Sequence, residues 1–410
     1  MSRSVSGVHL TGWGAYAPSL VLSNADLEKM VDTNDEWIVS RTGTRERRIA
    51  GPGETTASMA AVAGLRAIAT AGLTPDDIDL ILVGTLTPDY VMPSTAALVK
   101  EAIGNKRAAA MDLSAACSGF VYGYATANAY IAGGMAKHVL VIGAETLSRY
   151  TDYADRSTCI LFGDAAGAAV LSASDEPGGT MGIEMTTEPA GAYFIWLPAG
   201  GSARPPTAAT LASGEHYMKM KGTETFKVAV RTLGSTALAS VARAGIDLSE
   251  IDLVVPHQAN NRIIEALAKS LHFPMEKVFV NVDRYGNTSA ASVPLALSEA
   301  VSAGRVKKGD RLLLVAFGSG LTSGAITFQW TADPAAGARA EGIGPGDVAI
   351  MPGYLDPVNP FPPALEWLLE KDAKGAGNHR NPGRDALSTA TISDAAVSGA
   401  GGAAVTRPKG

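Results

Sequence analysis

The feature that most constrains this chain is an internal repeat at a fixed sequence shift of 173. The segment AGLTPDDIDLILV at 71–83 reappears as AGIDLSEIDLVVP at 244–256. At the same shift, the apolar run 139–143 falls on the apolar run at 312–316. An alanine-rich stretch of helical character precedes each copy, over 55–70 and 225–243. The pattern therefore predicts one unit of helix, buried strand, helix and buried strand, present twice.

Continuous apolar strands that alternate with helices predict an α/β fold with mostly parallel sheets covered on both faces. We expect two halves, over 1–178 and 179–330, that stack as layers of helix and sheet. The repeat shift places Cys117 on Ala290, so the helix starts at these positions should be pseudo-symmetric and face each other. Ligands of parallel sheets gather at the carboxyl ends of strands, which is where we expect the site.

The segment 331–410 differs in kind from the rest, because Ala, Gly and Pro make up almost half of it. Such a composition predicts a tail that adds no packed core and is largely disordered. One stretch, 362–371, has prolines at a possible helix start followed by an amphipathic turn. It could form a docked helix.

Composition and charge exclude several classes of protein. A net charge of −6 argues against a nucleic-acid surface, which needs a dense basic patch. The sequence lacks an apolar run of signal-peptide or membrane-helix length, so we expect a cytoplasmic protein without a membrane partner. Two cysteines give neither a disulfide framework nor zinc-ligand spacing, and we expect no metal.

Cys117 lies in DLSAACSGF at 112–120, where an apolar run gives way to small residues and a helical pattern begins. A thiol at the first turn of a helix has its thiolate favoured by free backbone N–H groups, and small neighbours admit an acyl group. This position favours a nucleophile. The alternative is a buried, inert cysteine, which is the commoner fate of a free cysteine.

Three other features could complete a site around such a thiol. His257 follows the predicted strand 251–255, Asn287 lies in a second loop next to a glycine, and the glycine-containing loop 316–320 follows another strand. Each also has a structural explanation, such as a turn for Asn287. Together they predict a cysteine that attacks a thioester, with a His and an Asn that donate hydrogen bonds where negative charge develops. A Cys–His protease is the competing chemistry.

From about Val8 to Trp330 the chain resembles the β-ketoacyl-acyl-carrier-protein synthase III family, condensing enzymes of thiolase fold that begin type II fatty acid synthesis. The resemblance is carried by several long motifs, which are NADLE at 24–28, DEWIV at 35–39, RTG at 41–43, FGDAAG at 162–167, PHQAN at 256–260 and GNTSAAS at 286–292. It implies a thiolase-like fold with α-β-α-β-α layers.

The resemblance also implies a ping-pong reaction that needs no cofactor. Cys117 would take an acyl group from acyl-CoA and then condense it with malonyl-carrier protein, with loss of CO2. The N–H groups of Cys117 and Ser319 would hold the acyl oxyanion, although the family often has glycine at position 319. His257 and Asn287 would stabilise the enolate, and Phe317 would shield the thiol from water.

Substrate contacts follow from the same resemblance. Trp37, Arg41 and Arg156 would hold the head group of CoA, and Thr223 stands where the family has an Asn that contacts pantetheine. Indole and guanidinium groups are suited to adenine and phosphate.

The expected partners are an acyl carrier protein and a second copy of this chain. Lys227, Arg262 and Lys269 would form a basic patch for the acidic carrier protein. Met92 would reach across the interface of a homodimer and form the floor of the partner's acyl pocket. The sequence leaves the chain length and branching of the primer open.

Three alternatives stay open at this point. A condensing or acyl-transferring enzyme of secondary metabolism would keep Cys117, His257 and Asn287. A degradative thiolase would need another reactive cysteine, whereas Cys159 lies in an apolar run and is interpreted as core. A non-catalytic partner subunit would usually lose the thiol.

Overall fold

The computed structural model describes residues 7–349 and 361–375, and the structural statements below are limited to these residues. Its strands are β1 (Gly7–Tyr16), β2 (Leu20–Ser23), β3 (Glu46–Ile49), β4 (Leu80–Gly84), β5 (Ala109–Leu113), β6 (His138–Thr146), β7 (Asp164–Ser174), β8 (Gly179–Thr187), β9 (Ile195–Trp196), β10 (Lys219–Met220), β11 (Leu253–Pro256), β12 (Arg311–Gly318) and β13 (Thr322–Gln329). Its α-helices are α1 (Asn24–Leu27), α2 (Asp35–Thr42), α3 (Thr56–Thr70), α4 (Thr95–Ala102), α5 (Gly119–Ala132), α6 (Arg156–Cys159), α7 (Ala208–Ala212), α8 (Gly222–Arg243), α9 (Asn261–Ser270), α10 (Val282–Tyr285), α11 (Ser292–Ser302) and α12 (Glu366–Gly375).

Two sheets with the same internal order form the body of the protein. The first runs β1-β7-β6-β4-β5 and the second β8-β13-β12-β11. The repeated strands are parallel, β4 to β6 and β11 to β12, whereas β7 and β13 run antiparallel to both of their neighbours. In the second sheet a single parallel bridge between Val254 and Val278 lies beside β11, where the first sheet has β5. The prediction of mostly parallel sheets therefore holds with one reversed strand in each.

Alternate residues of the strands face different helical layers. Leu80 and Leu82 of β4 pack toward α5 and α11, which also contact the second sheet. Ile81 and Val83 pack toward α3 and α4. The other face of the second sheet packs on α8 and α9. The order of layers is thus α-β-α-β-α, with α5 and α11 in the middle, and this confirms the predicted architecture.

The duplication extends to backbone detail at the two central helices. Ala116 has φ +50° and Ser289, its counterpart at the repeat shift, has φ +49°, values that non-glycine residues seldom adopt. Short 3₁₀ turns follow, over Ala116–Ser118 and Ser289–Ala291, and lead into α5 and α11. The predicted pseudo-symmetry of the two helix starts is confirmed.

Glycines let these two helix starts approach the central strands. A Cβ atom at Gly143 of β6 would lie 2.1 Å from the carbonyl oxygen of Ala290, and one at Gly84 of β4 would lie 2.5 Å from the carbonyl carbon of Gly119. Real Cβ atoms do not come so close to backbone, so both positions require glycine. The Gly143 contact sets the spacing between the two halves, and the Gly84 contact sets how closely α5 packs on β4 within the first half.

Parts of the predicted tail belong to the body, which corrects the interpretation of 331–410. In the first part, the guanidinium of Arg66 donates to the carbonyl of Ile343 at 2.7 and 2.9 Å, and Val348 is buried against the layer of α3 and α4. Composition averaged over the whole segment concealed these local contacts.

The second part contains α12, at the stretch that the sequence marked as a possible docked helix. Leu365 and Leu368 are buried in one apolar cluster with Leu22. The ammonium of Lys371 lies 2.5 Å from the buried carboxylate of Asp26. The other tail residues, 350–360 and 376–410, lie outside the described residues. No helix of the described ranges has both the length and the apolar character needed to cross a bilayer.

The glycine contact gives a test of the fold. We expect Gly143→Ala to lower the free energy of unfolding by about 2 kcal/mol or more, because overpacking a rigid core position costs ~1–3 kcal/mol. Urea unfolding followed by circular dichroism would measure it. Gly346→Ala is the matched control, since a Cβ atom there has no neighbour within 4 Å. Equal unfolding midpoints for the two variants would contradict the expectation.

Candidate active site

Cys117 lies in the 3₁₀ turn between β5 and α5. The positive φ of Ala116 makes this turn sharp, and Gly318 of β12 packs directly on it, because a Cβ atom at Gly318 would lie 2.6 Å from the Cys117 nitrogen. Burial raises the pKa of the thiol to about 12. This effect of burial opposes the stabilisation of the thiolate that is expected from the backbone N–H groups at the helix start.

His257 follows β11 and extends its pairing, since its N–H donates to the carbonyl of Val315 at 2.8 Å. The side chain is only 4% exposed, and burial lowers its pKa to about 3, so the imidazole is neutral at neutral pH. Its Nδ1 atom lies 2.6 Å from the hydroxyl of Ser292, the first residue of α11. When Nδ1 accepts a hydrogen bond from this hydroxyl, the proton of the neutral imidazole is on Nε2, and the Nε2–H group can donate to a ligand.

Asn287 is fixed by backbone bonds on both sides. Its N–H donates to the carbonyl of Leu161 at 2.8 Å, and its carbonyl accepts from Gly163 at 3.0 Å. Its side-chain oxygen accepts the N–H of Ser289 at 2.8 Å. The NH2 end of the amide is therefore the end that can donate to a ligand.

One cavity joins these groups. Its volume is about 410 Å³, within the range of small-molecule sites, and its lining includes Cys117, His257, Asn287 and Phe317. The residues come from both halves of the chain and lie at the carboxyl ends of strands, as the parallel topology predicts.

Ser319 begins the turn that follows β12. Its hydroxyl donates to the carbonyl of Ile195 at 2.5 Å, so the side chain points to a neighbouring strand rather than to a ligand. Its role as a backbone N–H donor stays a prediction.

The three residues predicted to hold CoA form a cluster. The guanidinium carbon of Arg41 lies 5.7 Å from the ring centroid of Trp37, and that of Arg156 lies 5.2 Å from the same centroid. Arg41 also lines the cavity, together with Thr223. The cluster thus adjoins the entrance to the cavity that contains Cys117.

Two of the three predicted basic residues also line the cavity. Lys227 and Arg262 are exposed there, and the Arg262 guanidinium carbon lies 5.6 Å from the ring centroid of Phe226. Lys269 is exposed further along the same helix, α9, outside the cavity lining. The two α9 cations are spaced by about two helical turns, which places both on one face of that helix.

Met92 does not line the cavity of its own chain. It is 85% exposed, and its neighbour Val91 is 94% exposed. Its predicted place in a partner's pocket stays a prediction.

Sequence reasoning missed Glu145, Ser289 and Ser292. Glu145 is buried near the end of β6, and its Oε1 atom accepts a hydrogen bond from the Ser289 hydroxyl, with an oxygen–oxygen distance of 3.0 Å. A carboxylate that directly follows the apolar run 139–144 was the available signal, since buried charges are rare without a purpose. The two serines lay within the motif at 286–292.

A duplicated five-layered fold that sets one thiol beside two neutral hydrogen-bond donors defines the class of this protein, the condensing enzymes that join acyl thioesters. Comparison with known proteins narrows the class. Residues 111–189 match the family described as 3-oxoacyl-[acyl-carrier-protein] synthase III. Residues 241–330 match the family described as the C-terminal part of the same synthase.

Individual relatives agree with the family match. The β-ketoacyl-[acyl-carrier-protein] synthase III of Symbiobacterium thermophilum is 52% identical over 323 residues, which cover 79% of this chain and 98% of that protein. The crystal structure of 3-oxoacyl-[acyl-carrier-protein] synthase III from Aquifex aeolicus is 47% identical, with a TM-score of 0.73, covering 79% of this chain and 100% of the other. The priming β-ketosynthase of the R1128 polyketide pathway is 34% identical, with a TM-score of 0.76 over 82% and 99% of the two chains.

The chain belongs to the 3-oxoacyl-[acyl-carrier-protein] synthase III family. It is a condensing acyltransferase with a role in fatty acid synthesis.

The protonation of His257 can be tested directly. We expect the imidazole to stay neutral, with its proton on Nε2, from pH 8 down to pH 5, because burial lowers its pKa to about 3. Nitrogen-15 NMR of histidine-labelled protein would report both features, with the signal assigned by its loss in His257→Gln. A titration midpoint near pH 6.5 would contradict the expectation.

Proposed function

We propose that Cys117 is the nucleophile of a two-stage reaction. Its sulfur attacks the thioester carbonyl of an acyl-CoA, CoA leaves, and the acyl-enzyme then condenses with malonyl-acyl carrier protein to give 3-oxoacyl-carrier protein and CO2. The observation that supports this best is the cavity shared by Cys117, His257 and Asn287. The reaction uses no cofactor, since decarboxylation itself produces the carbanion.

In the first stage, negative charge develops on the acyl oxygen. The N–H groups of Cys117 and Ser319 are the proposed donors for it, and the tight packing of Gly318 against Cys117 supports this pairing. Phe317 is buried and lines the cavity, where it excludes water from the sulfur.

In the second stage, the malonyl thioester loses CO2 and becomes an enolate. The Nε2–H of His257 and the side-chain NH2 of Asn287 donate to the enolate oxygen. Both groups are neutral and held by Ser292 and Ser289, so they need no rearrangement when charge appears. This preorganisation lowers the barrier to decarboxylation.

The substrates enter past the cationic residues of the entrance. Trp37, Arg41 and Arg156 bind the head group of CoA. Lys227, Arg262 and Lys269 dock the acidic carrier protein. Arg41, Lys227 and Arg262 line the cavity, which supports this assignment. Lys269 lies outside the lining, farther along α9.

The functional unit in this proposal is a cytoplasmic homodimer. The exposed segment with Val91 and Met92 would be covered by a second copy, with Met92 as the floor of the partner's acyl pocket. Both cysteines are free, as is usual in a reducing compartment.

Acyl transfer to Cys117 is the first test. We expect radiolabelled acetyl-CoA, or another member of a panel of acyl-CoAs, to label the parent chain but not Cys117→Ala. Cys159→Ala is the matched control and should keep the label, because the Cys159 side chain is buried in the core. An unlabelled parent across the panel would end the proposal.

Mass spectrometry of products formed with malonyl-carrier protein then separates fatty acid priming from a polyketide-priming role.

Carrier-protein docking is the second test. We expect Arg262→Glu to raise the KM for malonyl-carrier protein about tenfold, because a docking cation becomes an anion facing an acidic partner. Acylation by acyl-CoA should change much less. Arg107→Glu is the control, with the same change of charge at an exposed residue outside the cavity lining. Equal losses with both substrates would contradict the docking role.

A further inference from the structure

The helix α12 lies beyond residue 330, where the match to the synthase III family ends. It is nevertheless packed on the body of the protein. The 3₁₀ turn Pro363–Leu365 leads into it, and the side chains of Phe361, Leu365 and Leu368 are at most 2% exposed. Burial of a large apolar side chain contributes ~1.5–3 kcal/mol, so these three side chains hold the segment in place.

The apolar cluster that buries α12 extends to the cavity. Leu365 and Leu368 belong to the same cluster as Leu161, and Ile195 and Met220 pack against it. Leu161, Ile195 and Met220 also line the cavity that contains Cys117. One apolar cluster is therefore shared by α12 and the wall of the cavity.

The same cluster lies under the proposed CoA head-group site, which consists of Trp37, Arg41 and Arg156. The indole of Trp37 is half-buried and packs against the cluster, and Ile38, the next residue of α2, is fully buried within it. The two guanidinium groups lie over this indole. The orientation of the indole, and of the cations above it, thus depends on the packing beneath α2.

An ion pair connects α12 to α1. The ammonium nitrogen of Lys371 lies 2.5 Å from Oδ2 of Asp26, whose side chain is only 2% exposed. The same carboxylate oxygen accepts the N–H of Ser23 at 3.1 Å, as part of the capping box at the start of α1. Because water and salt screen a partly buried ion pair less than an exposed one, this contact holds α12 against α1.

Side-chain hydrogen bonds continue the connection from α1 to α2. The side-chain nitrogen of Asn24 donates to Oδ1 of Asp35 at 2.8 Å, and the N–H of Asp35 donates to Oε1 of Glu28 at 2.7 Å. Asp35 is the first residue of α2, two positions before Trp37. The helix α12 is therefore connected to the head-group site in two ways, through the apolar cluster and through α1.

We propose that α12 positions the CoA head-group site, so that the affinity of this chain for acyl-CoA depends on a helix outside the family match. The inference rests on the proposed role of Trp37, Arg41 and Arg156. The described residues of α12 do not line the cavity, so they are positioning residues that act through α1 and α2. A site that is already ordered loses less conformational entropy when a ligand binds.

The test is single-turnover acylation of Cys117 by radiolabelled acyl-CoA, with full-length variants and the acyl group that labels the parent. Leu368→Asp puts a carboxylate into the apolar cluster and should detach α12. We expect the half-saturating concentration of acyl-CoA to rise about tenfold at an unchanged maximal rate, because preorganisation is lost but the reacting groups are not. Leu238→Asp is the matched control, since this leucine is 50% exposed on α8, and it should keep the parent values.

A second substrate separates positioning of the head-group site from a general loss of structure. An acyl-pantetheine with the same acyl group carries the thioester and the pantetheine arm but no nucleotide. It has nothing to place on the indole of Trp37. Leu368→Asp should therefore leave acylation by acyl-pantetheine at the parent's rate and half-saturating concentration.

Lys371→Glu tests the polar connection. It places a second carboxylate beside Asp26, and the repulsion should raise the half-saturating concentration of acyl-CoA about threefold. Lys308→Glu is the control, with the same change of charge at an exposed residue outside α12 and the cavity lining. Because the side chain of Lys371 is half exposed, this variant decides the question if Leu368→Asp does not fold.

Two results would overturn the inference. One is a parent-like half-saturating concentration of acyl-CoA in both Leu368→Asp and Lys371→Glu, and the other is an equal loss with acyl-CoA and acyl-pantetheine. A Trp37→Ala variant with the parent's affinity for acyl-CoA would instead overturn the head-group assignment, and a parent chain without label would overturn the nucleophile assignment. Both outcomes are distinct from a failure of the role of α12 alone.

Discussion

Between the two sheets, the starts of α5 and α11 press against the central strands at positions where only glycine fits. Gly84 meets Gly119, and Gly143 meets the carbonyl of Ala290. A side chain at Gly143 would separate the halves, and one at Gly84 would push the start of α5 away from β4. The distance between the halves in turn determines whether a hydroxyl on the second can reach a carboxyl group on the first, so the geometry of the site depends on this contact.

Burial then determines the protonation of the site. The same loss of hydration raises the pKa of the Cys117 thiol and the Glu145 carboxyl group and lowers that of the His257 imidazole. Each shift favours the neutral form. Charge therefore develops mainly in the course of the reaction, and fixed N–H donors stabilise it most effectively in such a poorly hydrated cavity.

The C-terminal region shows where composition misleads. Its share of Ala, Gly and Pro predicts a tail without a core, yet Val348 packs on the first half and Leu365 and Leu368 pack beside Leu22. A few apolar side chains are enough to dock short segments when a complementary apolar face is already present. A window average cannot detect such a face, since it belongs to residues that are distant in the sequence.

The sequence by itself determined the duplication, the layers and the local elements, because apolar runs and helical periodicity are properties of neighbouring residues. The helix predicted over 55–70 is Thr56–Thr70, and Cys117 does lie at a helix start. Only the tertiary structure decided the reversal of β7 and β13 and the contact of Glu145 with Ser289. The two residues of this contact belong to different halves of the chain. Their hydrogen bond, and the high pKa of the thiol beside it, arise from burial that distant segments create together.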